Sequence, residues 1–407
     1  MTADPTITAA VRRRVLDLVA AADLPAYVID LADLDHHLTA VRAALPAEIE
    51  LYYAAKANSA APVLTTIAPH VDGFEVASGG ELAHLRAVLD QPSIAFGGPG
   101  KTSAELDAAL AAGVGVLHVE GVHELRLLAA AADRADVDLD VLLRVNPPIP
   151  VSGKALLMGG QPSPFGLDPE QADHCVPVLK AARRLHFRGL HAHLASGLEA
   201  DEHLALSAQV LRWGSDWCAR HHLEPTLVTL GGGMSVDYAD PTRRFDWVRL
   251  GQGLADLAGQ YPRTRLRIEP GRALTAYAGW YAATVLDVRR SYGQWFAVLA
   301  GGTHHLRTPA ARGHDQPFSV VPDPAWPHPG ARPEVVDAPV TLVGALCTPR
   351  DRLARDQPVS RLRAGDAVVF AMAGAYGWNI SHHEFLMHPP PSFHYLSARP
   401  GRSGAQP

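Results

Sequence analysis

The chain has 407 residues, 47% hydrophobic and 19% charged, with a formal net charge of −6. That length suits one barrel-sized domain plus a smaller one, and the balance is that of an ordinary globular protein. The charge supplies no basic face for nucleic acid and no polybasic anchor for a membrane, and no apolar run approaches the roughly 20 residues of a membrane span. The start, Met1-Thr2-Ala3-Asp4, lacks the basic and apolar regions of a signal peptide. Cys175, Cys218 and Cys347 lie far apart without metal-ligand spacing. The expectation is a reduced, cytoplasmic protein with no disulfide framework and no metal. Only four of the 36 basic residues are lysines (Lys56, Lys101, Lys154 and Lys180), so each invites a question about its role.

In chain order, short β-rich runs at 26–29, 49–54, 73–76, 94–97, 116–119, 139–145, 187–193, 226–230 and 266–269 read as strands. Between them, stretches such as 81–89 and 103–112 place apolar residues at helical spacing. This alternation predicts a parallel sheet closed into a (β/α)8 TIM barrel over 26–272. Beyond Arg272 the runs 282–289, 295–300, 339–346 and 367–372 are separated by Gly, Pro and Asp, with little helix. They predict a C-terminal β-domain built from 273–397 together with 1–25, and a tail over 398–407. The proline-rich stretch 317–333 reads as an irregular loop.

Several strand ends carry reactive residue types. Lys56 follows Tyr53-Ala54-Ala55 at the end of a β-rich run, where barrel enzymes place their reactive side chains. A lysine there can form an imine with an aldehyde cofactor, and the position equally suits a surface lysine. Gly231-Gly232-Gly233 after another strand suits either a flexible turn or close approach to an anion. Glu269-Pro270-Gly271-Arg272 could hold a protonated ring nitrogen through its carboxylate or form a local ion pair. His191 and His193, two residues apart, fall on one face if the strand continues. They suit metal ligation or stacking on an aromatic group, and Ser196 suits a phosphate oxygen. The loops Cys347-Thr348-Pro349-Arg350-Asp351 and Gly374-Ala375-Tyr376-Gly377 read alone as turns.

Taken in order, these pieces resemble the fold-type III pyridoxal-phosphate decarboxylases, the family of the diaminopimelate, ornithine and arginine decarboxylases, with alanine racemase as a distant relative. The resemblance runs from about Ala26 to Tyr395. It implies pyridoxal 5'-phosphate as cofactor, an alanine racemase-like fold and a homodimer with active sites shared across the interface. Lys56 matches the Schiff-base lysine, Asp72 to Ser78 the strand under the cofactor, and His193 the histidine stacked on the ring. Ser196, Gly231, Gly232 and Gly233 match phosphate binders, with Gly271 in the same motif as Arg272, a phosphate or substrate contact. Glu269 matches the partner of the ring nitrogen and Tyr376 a cofactor-contacting tyrosine. Cys347 matches a cysteine given across the dimer interface to reprotonate the carbanion.

The departures bear on the substrate. The acidic residue usual after the cysteine is Thr348 here, the family's "KFG" is Pro164-Phe165-Gly166, and Leu386 replaces a late asparagine. Diaminopimelate and ornithine are thereby put in doubt. The cations His304, His305, Arg307 and Arg312, with Arg144 and the loop residues Thr348 and Asp351, suit either a carboxylate-rich substrate or a solvated basic loop. The pattern is similar to the siderophore-pathway branch, whose members decarboxylate a citryl-diaminopropionate type of intermediate. The expected activity is carboxy-lyase action on such an L-amino acid. Simple diamino acids are the alternative substrates, and racemisation or a non-catalytic cofactor-binding or complex-forming role the alternative functions.

Overall fold

The computed structural model describes residues 6–150 and 156–397; the expected 398–407 tail lies outside them. Contacts divide the chain into two units. One comprises His37–Val236 with Phe245–Leu274, and the other takes the chain up to His36, Asp237–Arg244 and the chain from Thr275 onward.

In the first unit eight parallel strands close into a barrel. They are Ile49–Ala54, Gly73–Val76, Ile94–Phe96, Val116–Val119, Leu139–Arg144, Leu185–His191, Leu227–Thr229 and Arg265–Ile268. The last pairs with the first through Leu266 opposite Ile49, which closes the ring. Most strands are continuous apolar runs because a parallel barrel is covered on both faces; Ile94–Phe96 and Leu227–Thr229 are buried throughout. The helices between them bury one stripe, as Val122–Ala135 does with Leu125, Leu128, Ala131 and Ala132. Polar caps start helices directly after the strand-end loops. Ser78 accepts from the Glu81 amide, Thr102 and Glu105 form a capping box and Asp168 accepts from Gln171. Loops and helix starts therefore converge at the C-terminal strand ends.

One strand departs from expectation. Ala26–Asp30, read as the opening strand of the barrel, pairs instead antiparallel with Gly279–Ser291 and parallel with Ser392–Leu396. A short apolar run carries no record of its partner, and this one is equally at home in a buried sheet of the second unit.

That sheet has eight strands. Its hub is Gly279–Ser291, whose first half meets Ala26–Asp30 and Ala367–Phe370 and whose second half meets Gln294–Leu299. Glu334–Val343 and Arg352–Arg363 extend one side. Phe318–Val321 forms the other edge, inside the stretch expected to be irregular. Tyr281, Leu299, Leu342, Leu362 and Phe370 lie in the core of this unit.

Candidate active site

Lys56 sits in a single helical turn, Ala55–Ala57, directly after the Ile49–Ala54 strand. Its Nζ lies 2.7 Å from Oε2 of Glu75 on the neighbouring strand. The carboxylate is buried while the lysine is half-exposed, so the ammonium is tethered at the barrel mouth rather than free in solvent. Gly271 lies against this turn: a Cβ there would stand 2.9 Å from that of Ala57. Arg272 opens the short helix that follows.

The glycine run is built for close approach. Gly231 and Gly233 have φ of +67° and +89°. A Cβ would fall 2.7 Å from Nδ1 of His193 at Gly231, 2.4 Å from the Glu269 carbonyl at Gly232 and 2.2 Å from the Ala195 carbonyl at Gly233. Any side chain would fill the cradle or push the loops apart. The loops are laced by backbone bonds: the Glu269 amide donates to the Gly231 carbonyl at 2.8 Å, and the Gly197 amide to that of Gly233 at 2.7 Å.

Behind the cradle, buried His203 of the Ala200–His221 helix bonds the Gly232 backbone, and its Nδ1 lies 3.2 Å from the Ser207 hydroxyl. Burial lowers its pKa to about 4. The unfolded chain takes up this proton near pH 6.5 and the folded one only near pH 4, so stability is complete at neutral pH and declines as pH falls through that window. This single group accounts for up to about 3 kcal/mol. Thermal unfolding from pH 7.5 to 5 should show a falling midpoint, with a shallower slope in His203→Leu; equal slopes would remove this account.

His191 and His193 diverge. The strand ends at His191, so the period-2 rule no longer relates them. His193, partly exposed, flanks Gly231, and its Nε2 lies 3.5 Å from the Ser196 hydroxyl. Desolvation, with the charges of Arg144 and Lys56, holds its imidazole neutral. His191 is buried, and its Nε2 lies 3.0 Å from Oε2 of Glu269. His118 stacks on it at 4.3 Å between ring centroids, with Nε2 3.8 Å from Oε1 of Glu269. Oε1 is buried without a hydrogen-bond partner. The ligand-type atoms of His118, His191 and Glu269 lie within 4.8 Å of one another. No such carboxylate or further histidine was evident beside His191 in the sequence, because the three come from the ends of barrel segments far apart along the chain.

Arg144 ends its strand with a guanidinium 2.7 Å from Oε1 of buried Glu120 and lies over the Phe165 ring. Glu120 also accepts from the Gly98 and Gly166 amides, so Arg144 is a fixed cation. Glu75, His118, Glu120 and His203 were all missed in the sequence. For Glu75 and His118 the available signal was a polar residue inside a short apolar strand, in Gly73–Val76 and Val116–Val119.

The remaining expected residues belong to the β-unit. Cys347 is exposed. Arg307 and Thr348 line a cavity of about 890 Å³ together with Arg350, Arg352, Arg355 and His382. His304, His305 and Asp351, expected as substrate contacts or, for the histidines, part of a solvated loop, are all three buried. Nδ1 of His305 lies 2.9 Å from the Tyr281 hydroxyl and Nε2 3.0 Å from the Pro389 carbonyl. Asp351 accepts from the Thr303 amide and hydroxyl and the Leu346 amide. The polar atoms of His305 and Asp351 hold loops because buried groups need partners, whereas both ring nitrogens of His304 are buried without a hydrogen-bond partner. Arg312 is exposed, and Tyr376 has a left-handed backbone (φ +51°) whose carbonyl accepts from the Thr308 hydroxyl.

A closed parallel barrel whose mouth carries a tethered lysine, a glycine cradle and a buried carboxylate with one free oxygen fits a phosphorylated aromatic aldehyde held covalently: these are the features of barrel-type pyridoxal-phosphate enzymes. Residues 31–276 match the family described as "Pyridoxal-dependent decarboxylase, pyridoxal binding domain", and the chain belongs to the pyridoxal-dependent decarboxylases. It is 38% identical over 374 residues to the 2-[(L-alanin-3-ylcarbamoyl)methyl]-2-hydroxybutanedioate decarboxylase of Staphylococcus aureus, covering 91% of this chain and 94% of that one. It is 32% identical to a diaminopimelate decarboxylase of Actinosynnema pretiosum, covering 88% and 81%. The fold is similar to that of diaminopimelate decarboxylase from Helicobacter pylori complexed with L-lysine, with TM-score 0.83 and 22% identity over 95% of this chain and 94% of that one. Among the described residues no helix is long and apolar enough to cross a membrane.

Proposed function

We propose that this decarboxylase acts on an L-α-amino acid whose side chain ends in several carboxylates, a citryl-diaminopropionate type of siderophore precursor. The observation that carries the substrate class is the cavity lined by Arg307, Arg350, Arg352 and Arg355, because guanidinium groups recognise carboxylates through paired hydrogen bonds. The name of the S. aureus relative, which describes such an amide-linked hydroxy-polycarboxylate, supports it.

In this reading Lys56 would hold the cofactor, His193 would lie against its ring and Glu269 would meet the ring nitrogen. Ser196, Gly231, Gly232, Gly233, Gly271 and Arg272 would receive the phosphate, with Tyr376 as a further contact. The bound cofactor supplies an electron sink for the pair left on Cα when carbon dioxide departs. Glu75 keeps the Lys56 nitrogen at the mouth and could take the proton that the arriving substrate ammonium must shed, passing it to the released lysine amine. Arg144, fixed by Glu120, offers a cation to a substrate carboxylate. The net change consumes one proton, releases carbon dioxide and leaves a primary amine. Cys347 of the partner subunit returns the proton to Cα, which makes the working form a homodimer. Glu269, an acid rather than a cation facing the ring nitrogen, favours decarboxylation over racemisation. The three free thiols suit a cytoplasmic location.

Carbon dioxide release from meso-diaminopimelate, L-ornithine, L-lysine, L-arginine and citryl-diaminopropionate tests this reading. Release from the citryl compound alone is expected. Replacing Arg350 and Arg352 together with alanine should raise its KM by roughly 10- to 100-fold, the scale of a lost charged hydrogen bond. Release confined to a simple diamino acid would overturn the substrate class.

A further inference from the structure

Glu269 is a buried carboxylate in unusual company. The side chains that meet it are two imidazoles, His191 at 3.0 Å from Oε2 and His118 at 3.8 Å from Oε1. Burial and nearby positive charges, Arg144 and Lys56 foremost, keep His191 neutral; burial and the His191 ring beside it do the same for His118. A neutral imidazole carries one N–H. With Nε2 of His191 at hydrogen-bond distance from a carboxylate oxygen and Nδ1 facing no partner, the proton belongs on Nε2. Nδ1 is then a bare, buried acceptor. His118, 1% exposed, stacks on the ring at an interplanar angle of 29°, so His191 cannot swing away from the carboxylate without displacing a second buried ring.

We propose that His191, backed by His118, is the positioning residue for Glu269: its Nε2–H pins Oε2 and leaves Oε1 as the oxygen offered to the ring nitrogen of the cofactor. This rests on the reading above, in which Glu269 meets that nitrogen. A carboxylate held at one oxygen cannot rotate, so the second oxygen keeps a fixed direction and arrives without reorganisation. His191 itself touches neither substrate nor the reacting atoms. Sequence spacing suggested that His191 works together with His193; folding assigns it to Glu269, 78 residues further along.

The test uses the cofactor-loaded enzyme and the variants His191→Leu and His191→Gln, since a glutamine amide can supply an N–H in place of the imidazole. His191→Leu should keep the visible absorption of cofactor on Lys56 and an unchanged KM while kcat falls roughly 10- to 100-fold, the usual scale for a group that orients a ligand. His191→Gln should recover most of that loss, and the cofactor dissociation constant should follow the same order. Unchanged kcat in His191→Leu, or equal defects in both variants at matched thermal stability, would overturn the positioning role. If instead Glu269→Gln keeps full kcat, the failure lies with the assignment of Glu269. Titration of the cofactor-free protein with Co2+ separates the other use of these three side chains. No tight binding is expected while the His191 N–H is committed to Glu269. A stoichiometric tetrahedral cobalt spectrum that is lost in His191→Leu would overturn positioning in favour of a metal site.

Discussion

Lys56→Ala should abolish both the visible absorption of covalently held cofactor and the release of carbon dioxide, with turnover down by about 10^4-fold or more, the scale seen when a covalent catalytic group is removed. The lysine is half-exposed just past the end of a barrel strand, where it pairs with Glu75, so truncation leaves no buried cavity and the fold should persist. Lys101 provides the contrast. Its side chain is 1% exposed and its Nζ lies 2.7 Å from Glu124, so Lys101→Ala should lower the melting temperature by leaving a buried carboxylate unpaired, while cofactor still binds. Turnover retained in Lys56→Ala would remove the assignment of Lys56, whatever the behaviour of Lys101.

Glu269→Gln is expected to keep cofactor binding through Lys56 and the glycine cradle while kcat falls about 10^2- to 10^3-fold, the cost of losing one preorganised electrostatic contact. The substitution preserves shape and can retain a hydrogen bond with His191. The loss therefore reports the negative charge, which a neutral amide cannot replace opposite a protonated ring nitrogen. Carbon dioxide release at saturating substrate measures it directly. Unchanged kcat would show that the charge is not used, and a protein that no longer takes up cofactor would show that Glu269 serves binding rather than turnover.

The arginine-lined cavity bears on how much the histidine-rich loop explains. The run 301–307 suited either a carboxylate-recognising mouth or a solvated basic loop, yet His304 and His305 are buried and Asp351 fastens loop backbone. Arg350, Arg352 and Arg355, not singled out from sequence, line the cavity with Arg307. The cations remain, on different residues. Loop sequences state charge, and packing decides which charges face outward.

The sequence by itself determined what is local. Alternating apolar runs and amphipathic helices dictated a parallel barrel. Strand-end position marked Lys56, the glycine run and Glu269, because reactive groups of a barrel gather where its loops converge. The glycine run was legible as a turn or a place of close backbone approach, and the positive φ of Gly231 and Gly233 fits glycine there. Only tertiary structure decided what depends on partners distant in sequence. Ala26–Asp30 could have joined either sheet, and the hydrogen-bonding edge of Gly279–Ser291 took it. The pairs Lys56 with Glu75, Arg144 with Glu120 and His191 with Glu269 each join one barrel strand to the residue just past the end of another. Such pairs are fixed by strand order and register around the ring, and neither is written in the spacing of residues along one strand.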